Sequence, residues 1–481
     1  MAENIREIVL DTLLAMEKEG QYSNRLLKAV LDKYNYLEPR DKAFIKRATE
    51  GTVERRLELD YYLNRFSSVP VKRMKPLVRA LLRMSVYQLV YMDSVPDNAV
   101  CNEACRLAAK RKFGSLKGFI NGVLRNISRN KESLPLPDER EDVSLWLSVR
   151  YSMPEWLVQR WLDEYGREIT ATLLKGLLEI HPVSLRFHTG LSEGEREELC
   201  RSMEEKGAVL RPSPYLPYVY TLEYGDNITA LPGFREGLWT VQDVSSALAV
   251  EAAGISRGDF VLDACGAPGG KALLAAEKAG RVLCRDISEE KTELIRENAA
   301  RMKAGNIEIQ AWDALCFDRA LEGKADVVLL DVPCSGLGIL GKKRDIKYHV
   351  SPEGLESLGE LQREIVRVCG SYVRPGGTLL YSTCTINRAE NEEMVRFITS
   401  ELGFLPDSLE GRLPEGLLAQ KRAVEELRKK SGKVCPTALS RAETFACIQL
   451  LPGYMEADGF FFARFRRPGG NEKDLKEPVR L

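Results

Sequence analysis

Nowhere in this chain do two cysteines stand at CxxC spacing, and only three histidines occur in its 481 residues. Eleven cysteines spread over that length without such a pair read neither as a zinc ribbon nor as a disulfide framework. Reduced thiols in a cytoplasmic protein are the simpler expectation, and no metal site is expected. Long apolar runs are missing too: no stretch approaches the roughly 18 residues needed to cross a bilayer, so no membrane partner is expected. The opening MAENIREIVLDTLLAMEKEG carries acids throughout and lacks the continuous apolar core of a signal peptide. Compositional bias is equally absent. With 44% hydrophobic and 29% charged residues, 37 Gly and 22 Pro, the chain reads as globular rather than disordered or collagen-like. Its length suits about three domains.

Net charge is also lacking, 70 basic residues against 70 acidic, but the balance is uneven along the chain. Residues 1–130 hold 24 Lys and Arg against 15 Asp and Glu, and the remainder holds 46 against 55. Two stretches cause this: Arg55 to Arg83 has eight basic and two acidic residues, and Arg106 to Arg129 has seven basic and none acidic. A basic module on an acidic body points to a polyanion partner, although a solvated helical face explains the charge about equally well.

Periodicity divides the chain. In the first part, residues 1–135, apolar positions such as Ile5, Val9, Leu13 and Met16 recur at helical spacing. The run Met74 to Met92 reads as an apolar helix stopped by Asp93-Ser-Val-Pro96, and Cys101 and Cys105, one turn apart, read as core. The segment LPLPDERED, Leu134 to Asp142, reads as a linker. Residues 143–240 mix helices with short strands such as VSLRFH and suit a small α+β domain. Within 241–470, after Gly258, strand, Gly-rich turn and helix alternate: DFVLDAC, RVLCRDI, IEIQAWD, ADVVLLDVP and GTLLYSTCT. Continuous apolar strands between helices predict a doubly wound α/β domain with a parallel sheet, and DGFFFARFRR near the end reads as a further strand of it. Residues 405–445 show no clear period, and no internal repeat is found.

Ligands of such domains bind beyond the carboxyl ends of the strands. The first strand ends in Asp263-Ala-Cys-Gly-Ala-Pro-Gly-Gly-Lys271, which matches neither GxGxxG nor the phosphate loop GxxxxGK[ST]. Asp286 ends the second strand, where an acid can hold ribose hydroxyls, and Asp313 follows the third, where it can reach an adenine amino group. A ligand with ribose and adenine but no phosphate is S-adenosylmethionine. Each Asp alone reads equally as a helix cap or turn, but together at successive strand ends they favour a site. The fourth strand ends in Asp331-Val-Pro-Cys334-Ser-Gly and the fifth in Ser382-Thr-Cys384-Thr. If these strands are neighbours, about 4.8 Å apart, both thiols enter one crevice. Cys265, Cys284, Cys316, Cys369, Cys435 and Cys447 have no comparable partner and read as structural.

Two thiols and an acid beside a methyl donor suit methylation of pyrimidine carbon-5. That carbon is a poor nucleophile until a thiolate adds at carbon-6. Asp331 can hydrogen-bond the ring nitrogen and stabilise the charge that develops there. Zinc-dependent cytosine deamination is excluded, because the histidines stand in HPV, HTG and HVS contexts with no HxE, and Cys334 has no CxxC partner.

DACGAPGGK, DVPCSG and STCT, in this order, resemble the RNA (cytosine-5)-methyltransferase superfamily, and the helical N-terminus looks like the RNA-binding domain of the antitermination factor NusB. The pairing is similar to bacterial 16S ribosomal RNA (cytosine-5)-methyltransferases. The resemblance implies a NusB-like domain, a small α+β domain and a Rossmann-like catalytic domain, with 16S ribosomal RNA as partner; a monomer is expected, although the sequence does not reveal the oligomeric state. It implies a cofactor loop of Cys265, Gly266, Ala267, Pro268, Gly269, Gly270 and Lys271, with Asp286, Asp313 and Asp331 as further cofactor positions. It also implies that Cys384 is the nucleophile, that Cys334 assists product release and that Asp331 contacts the cytosine. Local chemistry leaves the attacker open, since DNA cytosine-5 methyltransferases attack with a Pro-Cys dipeptide, here Pro333-Cys334. The chain departs from the family at Gly266, where Ala is usual, at Ala272, where Thr is usual, and at Val332, often Pro. A transfer RNA substrate and a non-catalytic assembly factor are the alternatives, the latter disfavoured by two strand-end thiols.

Overall fold

A computed structural model of the chain describes every residue except 1–3, 20–22, 180–181, 226, 433–438 and 470–481. The chain divides into two units, Met1–Leu178 with Leu340–His349, and Glu179–Ile339 with Val350–Leu481.

The first unit is helical: α1 (Ile5–Glu19), α2 (Ser23–Lys33), α3 (Pro39–Glu54), α4 (Arg56–Phe66), α5 (Pro76–Tyr91), α6 (Asp97–Lys110), α7 (Lys117–Arg129), α8 (Val143–Arg150) and α9 (Glu155–Leu178). Prolines open α3 and α5, where the missing N–H costs no helical bond. Val9 and Leu13 of α1 are buried, with Ile5 and Met16 packed on the same core, so the expected apolar face exists. Cys101 is buried in that core, whereas Cys105 is partly exposed and directs its thiol to the Lys117 carbonyl at 3.7 Å. Leu134–Asp142 forms neither helix nor strand, and Asp142 caps α8 by accepting from the Leu145 N–H at 2.8 Å. The segment Leu340–His349 is built into this unit. Arg344 pairs with Glu50 and, at 2.9 Å, with Glu54; Lys347 Nζ donates to the Glu54 carbonyl at 2.8 Å; and the Arg56 guanidinium lies 3.6 Å over the Tyr348 ring.

The second unit holds two sheets. The smaller is antiparallel in the order β2-β3-β1-β4, from β1 (Val183–Phe187), β2 (Val209–Pro212), β3 (Val219–Glu223) and β4 (Trp239–Val241), with α10 (Glu193–Glu204). Fully buried Arg186 of β1 bonds Gln242 and Glu277. The larger sheet comprises β5 (Phe260–Asp263), β6 (Arg281–Asp286), β7 (Ile307–Ala311), β8 (Ala325–Asp331), β9 (Val373–Thr383), β10 (Leu405–Pro406), β11 (Cys447–Leu450) and β12 (Phe460–Arg466). Its order is β10-β12-β9-β8-β5-β6-β7, with β11 also on β12. Strands β5 to β9 are mutually parallel, and β12 runs antiparallel to β9. Its helices are α11 (Val244–Ala253), α12 (Gly270–Ala276), α13 (Glu289–Arg301), α14 (Pro352–Gly370), α15 (Glu392–Arg396), α16 (Glu415–Lys430) and α17 (Arg441–Ala446).

Alternate residues of these strands feed two separate cores. Val261, Val282, Val327 and Leu380 pack with α11 and α12, while Leu262, Leu283, Val328 and Leu379 pack with α14 and α15. Burial on both faces explains why the strands read as unbroken apolar runs. The sheet is the doubly wound one expected, and DGFFFARFRR supplies β12. Strand order reverses between β8 and β5, which places the switch point beside the motif-bearing strand ends.

Candidate active site

The loop after β5 is shaped by what lies behind it. A Cβ at Gly266 would sit 2.3 Å from Cys284 Sγ and 3.2 Å from the Asp263 carboxyl, so no side chain fits while Cys284 occupies β6. The loop is held by the Gly266 N–H on the Arg285 carbonyl at 2.8 Å and by the Ala267 N–H on Asp286 Oδ2 at 3.0 Å. Gly269, at φ +104°, adopts a left-handed turn into α12. Asp286 is buried at the end of β6, and its Oδ1 accepts from the Ile287 N–H at 2.8 Å and Lys291 Nζ at 2.9 Å. Asp313, just beyond β7, accepts from the Leu315 N–H at 2.9 Å.

Lys271 and Asp331 form the electrostatic centre. Lys271 Nζ lies 2.7 Å from Asp331 Oδ2 and 3.2 Å from Ser246 Oγ, with its ammonium 5.2 Å over the Phe460 ring. Burial alone lowers the lysine pKa, but Asp331, Asp263 and Cys384 outweigh it and hold the ammonium above its usual value. Asp331 keeps 31% of its side chain exposed, and its Oδ1 accepts from the Ser382 hydroxyl at 2.9 Å across the β8–β9 pair. Asp263 is fully buried behind them. Burial pushes its carboxyl up to about 7, with Lys271 opposing that shift.

Beside this pair, Cys334 Sγ stands 3.2 Å from Cys384 Sγ. That separation is a thiol hydrogen bond and far exceeds the roughly 2.05 Å of a disulfide. Adjacency of β8 and β9 brings the two residues together, and the Gly338 N–H on the Cys384 carbonyl at 3.1 Å ties the two loops. Gly338 also meets Gly459 so closely that a Cβ there would lie 1.8 Å from the Gly459 carbonyl oxygen. Cys334 holds its proton far above the usual thiol range, because of the hydrogen bond to Cys384, burial, the charge of Cys384, and then Glu390 and Asp331.

Three families match the chain: the NusB family over residues 3–129, the ferredoxin-like domain of RsmF/B-like methyltransferases over 153–229, and 16S rRNA methyltransferase RsmB/F over 253–466. Over 472 residues, 97% of this chain and 99% of the relative, it is 35% identical to the probable ribosomal RNA small subunit methyltransferase B of Bacillus subtilis (strain 168). The chain belongs to the RsmB/F family of 16S rRNA methyltransferases. Ribosomal RNA small subunit methyltransferase B of Cronobacter sakazakii is 28% identical over 465 residues, 96% of this chain and 98% of that one. Among solved structures, PH0851 aligns with a TM-score of 0.73 and 22% identity over 97% of this chain and all (100%) of that one. NSun6 from Pyrococcus horikoshii with SFG aligns with a TM-score of 0.53 and 19% identity over 65% of this chain and 98% of that one. These two likenesses are of fold.

In this family member, the loop 265–271, Asp286, Asp313, Asp331, Cys334 and Cys384 all stand at the carboxyl edge of the parallel strands. Cys284, Cys369 and Cys447 are buried, as structural thiols should be, and Cys265 is half-buried. Cys316 differs: it is exposed, because it lies in the loop after β7 rather than on a strand. Cys435 lies outside the described residues. Sequence reasoning missed the pairing of Lys271 with Asp331 and the buried Glu390. The continuous motif hid the first, since Lys271 reads there as part of a backbone cradle. Glu390 sits in a run of acids that reads as an ordinary helix start.

Proposed function

We propose that this protein methylates carbon-5 of a cytosine in 16S ribosomal RNA, with S-adenosylmethionine as donor and a covalent Cys384–cytosine adduct on the way. The approach of Cys334 and Cys384 to 3.2 Å beside the Lys271–Asp331 pair carries this reading. One thiol attacks; the other is left to handle a proton. The thiolate pair of Cys384 forms the bond to carbon-6, and the Lys271 ammonium couples electrostatically to this sulfur. Asp331, partly open to the site, accepts a hydrogen bond from the ring nitrogen in its protonated form, so that the electrons the thiolate pushes into the ring neutralise a positive charge there. Once Cys384 has become an uncharged thioether, the strongest hold on the Cys334 proton is gone, and that proton passes to water. Carbon-5, made nucleophilic by the addition at carbon-6, would take the methyl group that the cofactor supplies; Cys334 then takes the carbon-5 proton, and the electrons of that C–H bond restore the ring double bond as Cys384 leaves.

The donor set fits S-adenosylmethionine. Asp286 presents a carboxylate whose Lys291 partner is half-exposed and can give way to ribose hydroxyls, and Gly266 beside it leaves no room for a Cβ while Cys284 lies behind. When bound, the cofactor supplies an electrophilic sulfonium methyl group. RNA contact falls to the first unit, where Lys72, Arg73, Lys75, Lys112, Lys117, Arg125 and Arg129 are exposed. The two basic stretches meet there, with Lys75 Nζ 5.4 Å over the Phe113 ring. We place the reaction in the cytoplasm, carried out by a monomer. No helix among the described residues is long and apolar enough to cross a membrane.

Bisulfite sequencing of small-subunit RNA from a strain lacking the protein should show one methylcytosine lost, whereas loss in transfer RNA, or nowhere, would refute the 16S assignment. Thiol roles are read from adducts. Cys334→Ala should accumulate an RNA–protein adduct that survives denaturing electrophoresis, and Cys384→Ala should form none. The opposite pattern would make Cys334 the nucleophile.

A further inference from the structure

Behind the two thiols lies a fully buried carboxyl group, that of Glu390, which the reaction as written does not use. Four neutral donors converge on it. Oε2 accepts from the Ser335 backbone N–H at 2.9 Å and from Gln362 Nε2 at 2.8 Å; Oε1 accepts from Asn387 Nδ2 at 2.9 Å and from the Ser335 hydroxyl. Two donors on each oxygen match the acceptor-only inventory of an ionised carboxylate. The same donors belong to the thiol loops. Ser335 follows Cys334, and its Oγ stands 2.7 Å from Oγ1 of Thr385, which follows Cys384. Gln362, on α14, also donates to the carbonyl of Pro333, the residue before Cys334, at 2.9 Å.

We propose that Glu390 is a positioning residue that locks the Cys334 loop against the Cys384 loop and, as a buried anion on the Cys334 side, assigns the shared proton to Cys334. Cys384 is thereby left as the thiolate. This inference rests on the covalent mechanism above. Its geometric basis is the placing of Glu390 on the backbone N–H beside Cys334, on one side of the 3.2 Å pair, while the Lys271 ammonium is held on Asp331 and couples electrostatically to Cys384. The other titratable groups around the pair are Asp331, Asp263 and Tyr381, whose hydroxyl donates to the Glu390 carbonyl at 2.7 Å. The upward shift of Cys334, to which Glu390 and Asp331 both contribute, agrees with this assignment.

The test is alkylation of the full-length protein by iodoacetamide at low conversion, from about pH 6 to about pH 10, with each cysteine followed by mass spectrometry. In the unmodified protein Cys384 should react at lower pH than Cys334; equal or reversed order overturns the proposal without any variant. Glu390→Gln should speed Cys334 alkylation near neutral pH by about tenfold, since one pKa unit is tenfold in thiolate. Ser335→Ala, which removes a donor but no charge, should lower kcat and leave the Cys334 profile in place. A folded Glu390→Gln protein with an unchanged Cys334 profile, or Ser335→Ala shifting it equally, refutes the electrostatic role. Alkylation needs neither RNA nor cofactor. If the profiles behave as stated but no methylcytosine is made, the proposed function fails while the role of Glu390 stands.

Discussion

At Gly266 one methyl group is enough to decide stability, because the space it would need is filled by Cys284 Sγ at 2.3 Å. The glycine and the cysteine therefore form one unit of packing. Gly266→Ala should destabilise the protein by about 1–3 kcal/mol, the usual cost of overpacking. Adding Cys284→Ala to it should recover much of that loss in thermal melts; a double variant no more stable than Gly266→Ala would show that the strain lies elsewhere. The neighbouring Asp286 joins two tasks, holding the Ala267 N–H and, as proposed, the ribose. Asp286→Ala should weaken S-adenosylmethionine binding by about 2 kcal/mol through lost charge-assisted bonds. Calorimetry giving unaltered affinity would remove Asp286 from the site. At this scale the sequence is informative wherever a residue's task is local. The placement of Asp286, Asp331, Cys334 and Cys384 at one sheet edge is legible because strand ends and motifs coincide. Glu390 is not, because its meaning comes from donors 28 and 55 positions away in Gln362 and Ser335.

Elements were legible in proportion to how strongly burial patterns them. Strands β5, β6, β8 and β9, covered on both faces, stand out as apolar runs, and α5 does so for the same reason. The stretch 405–445 gave no period, and its main helix explains why: of the 16 residues of α16 only Leu417 and Leu418 are buried. That helix is held instead by Lys421, which donates to the carbonyls of Thr444 and, at 2.9 Å, Cys447, a bond that leaves no hydrophobic repeat. The segment Leu340–His349 is likewise fixed by charge. Lys347 is buried there, and burial lowers its pKa to about 7, opposed by Glu54 and reinforced by Arg55, Arg56 and Arg344. An unfolded lysine titrates near 10.4, so between about pH 7 and about pH 10 the unfolded chain binds the extra proton. Lys347 therefore costs stability that is greatest at or below about pH 7 and disappears as pH rises towards 10. Lys347→Met should raise the thermal midpoint at neutral pH and lose most of that advantage by about pH 9.5. An advantage independent of pH would mean that Lys347 is charged in the folded protein.

Taken whole, the chain is neutral only by cancellation, and the surplus of its first 130 residues, 24 basic against 15 acidic, remains largely on the surface after folding. Several of these charges are spent internally: Arg83 forks onto Asp60 at 2.6 and 2.7 Å, Arg79 pairs with Glu17, and Arg111 binds Asp11 at 2.6 Å. Composition alone cannot separate such spent charges from available ones, and this is where the sequence reading of the basic module stops. Lys72, Arg73, Lys75, Lys112, Lys117 and Arg125 are exposed and form no ion pair shown among the described residues. Deleting the module is a poor test of RNA contact, because α8, α9 and the segment Leu340–His349 pack within the same unit and would lose their core. Neutralising exposed charges is cleaner. Each cation that contacts a phosphate releases counterions, and losing one flattens the slope of log affinity against log salt by roughly 0.7 to 0.9. The quadruple variant Lys72→Gln, Arg73→Gln, Lys112→Gln and Lys117→Gln should therefore bind small-subunit RNA more weakly at low salt, with a slope shallower by up to about 3.6. Its affinity for S-adenosylmethionine should not change, since none of the four lies in the unit that carries the strand-end site. A slope equal to that of the parent protein would mean that these charges only solvate the helical surface, and that RNA is held elsewhere.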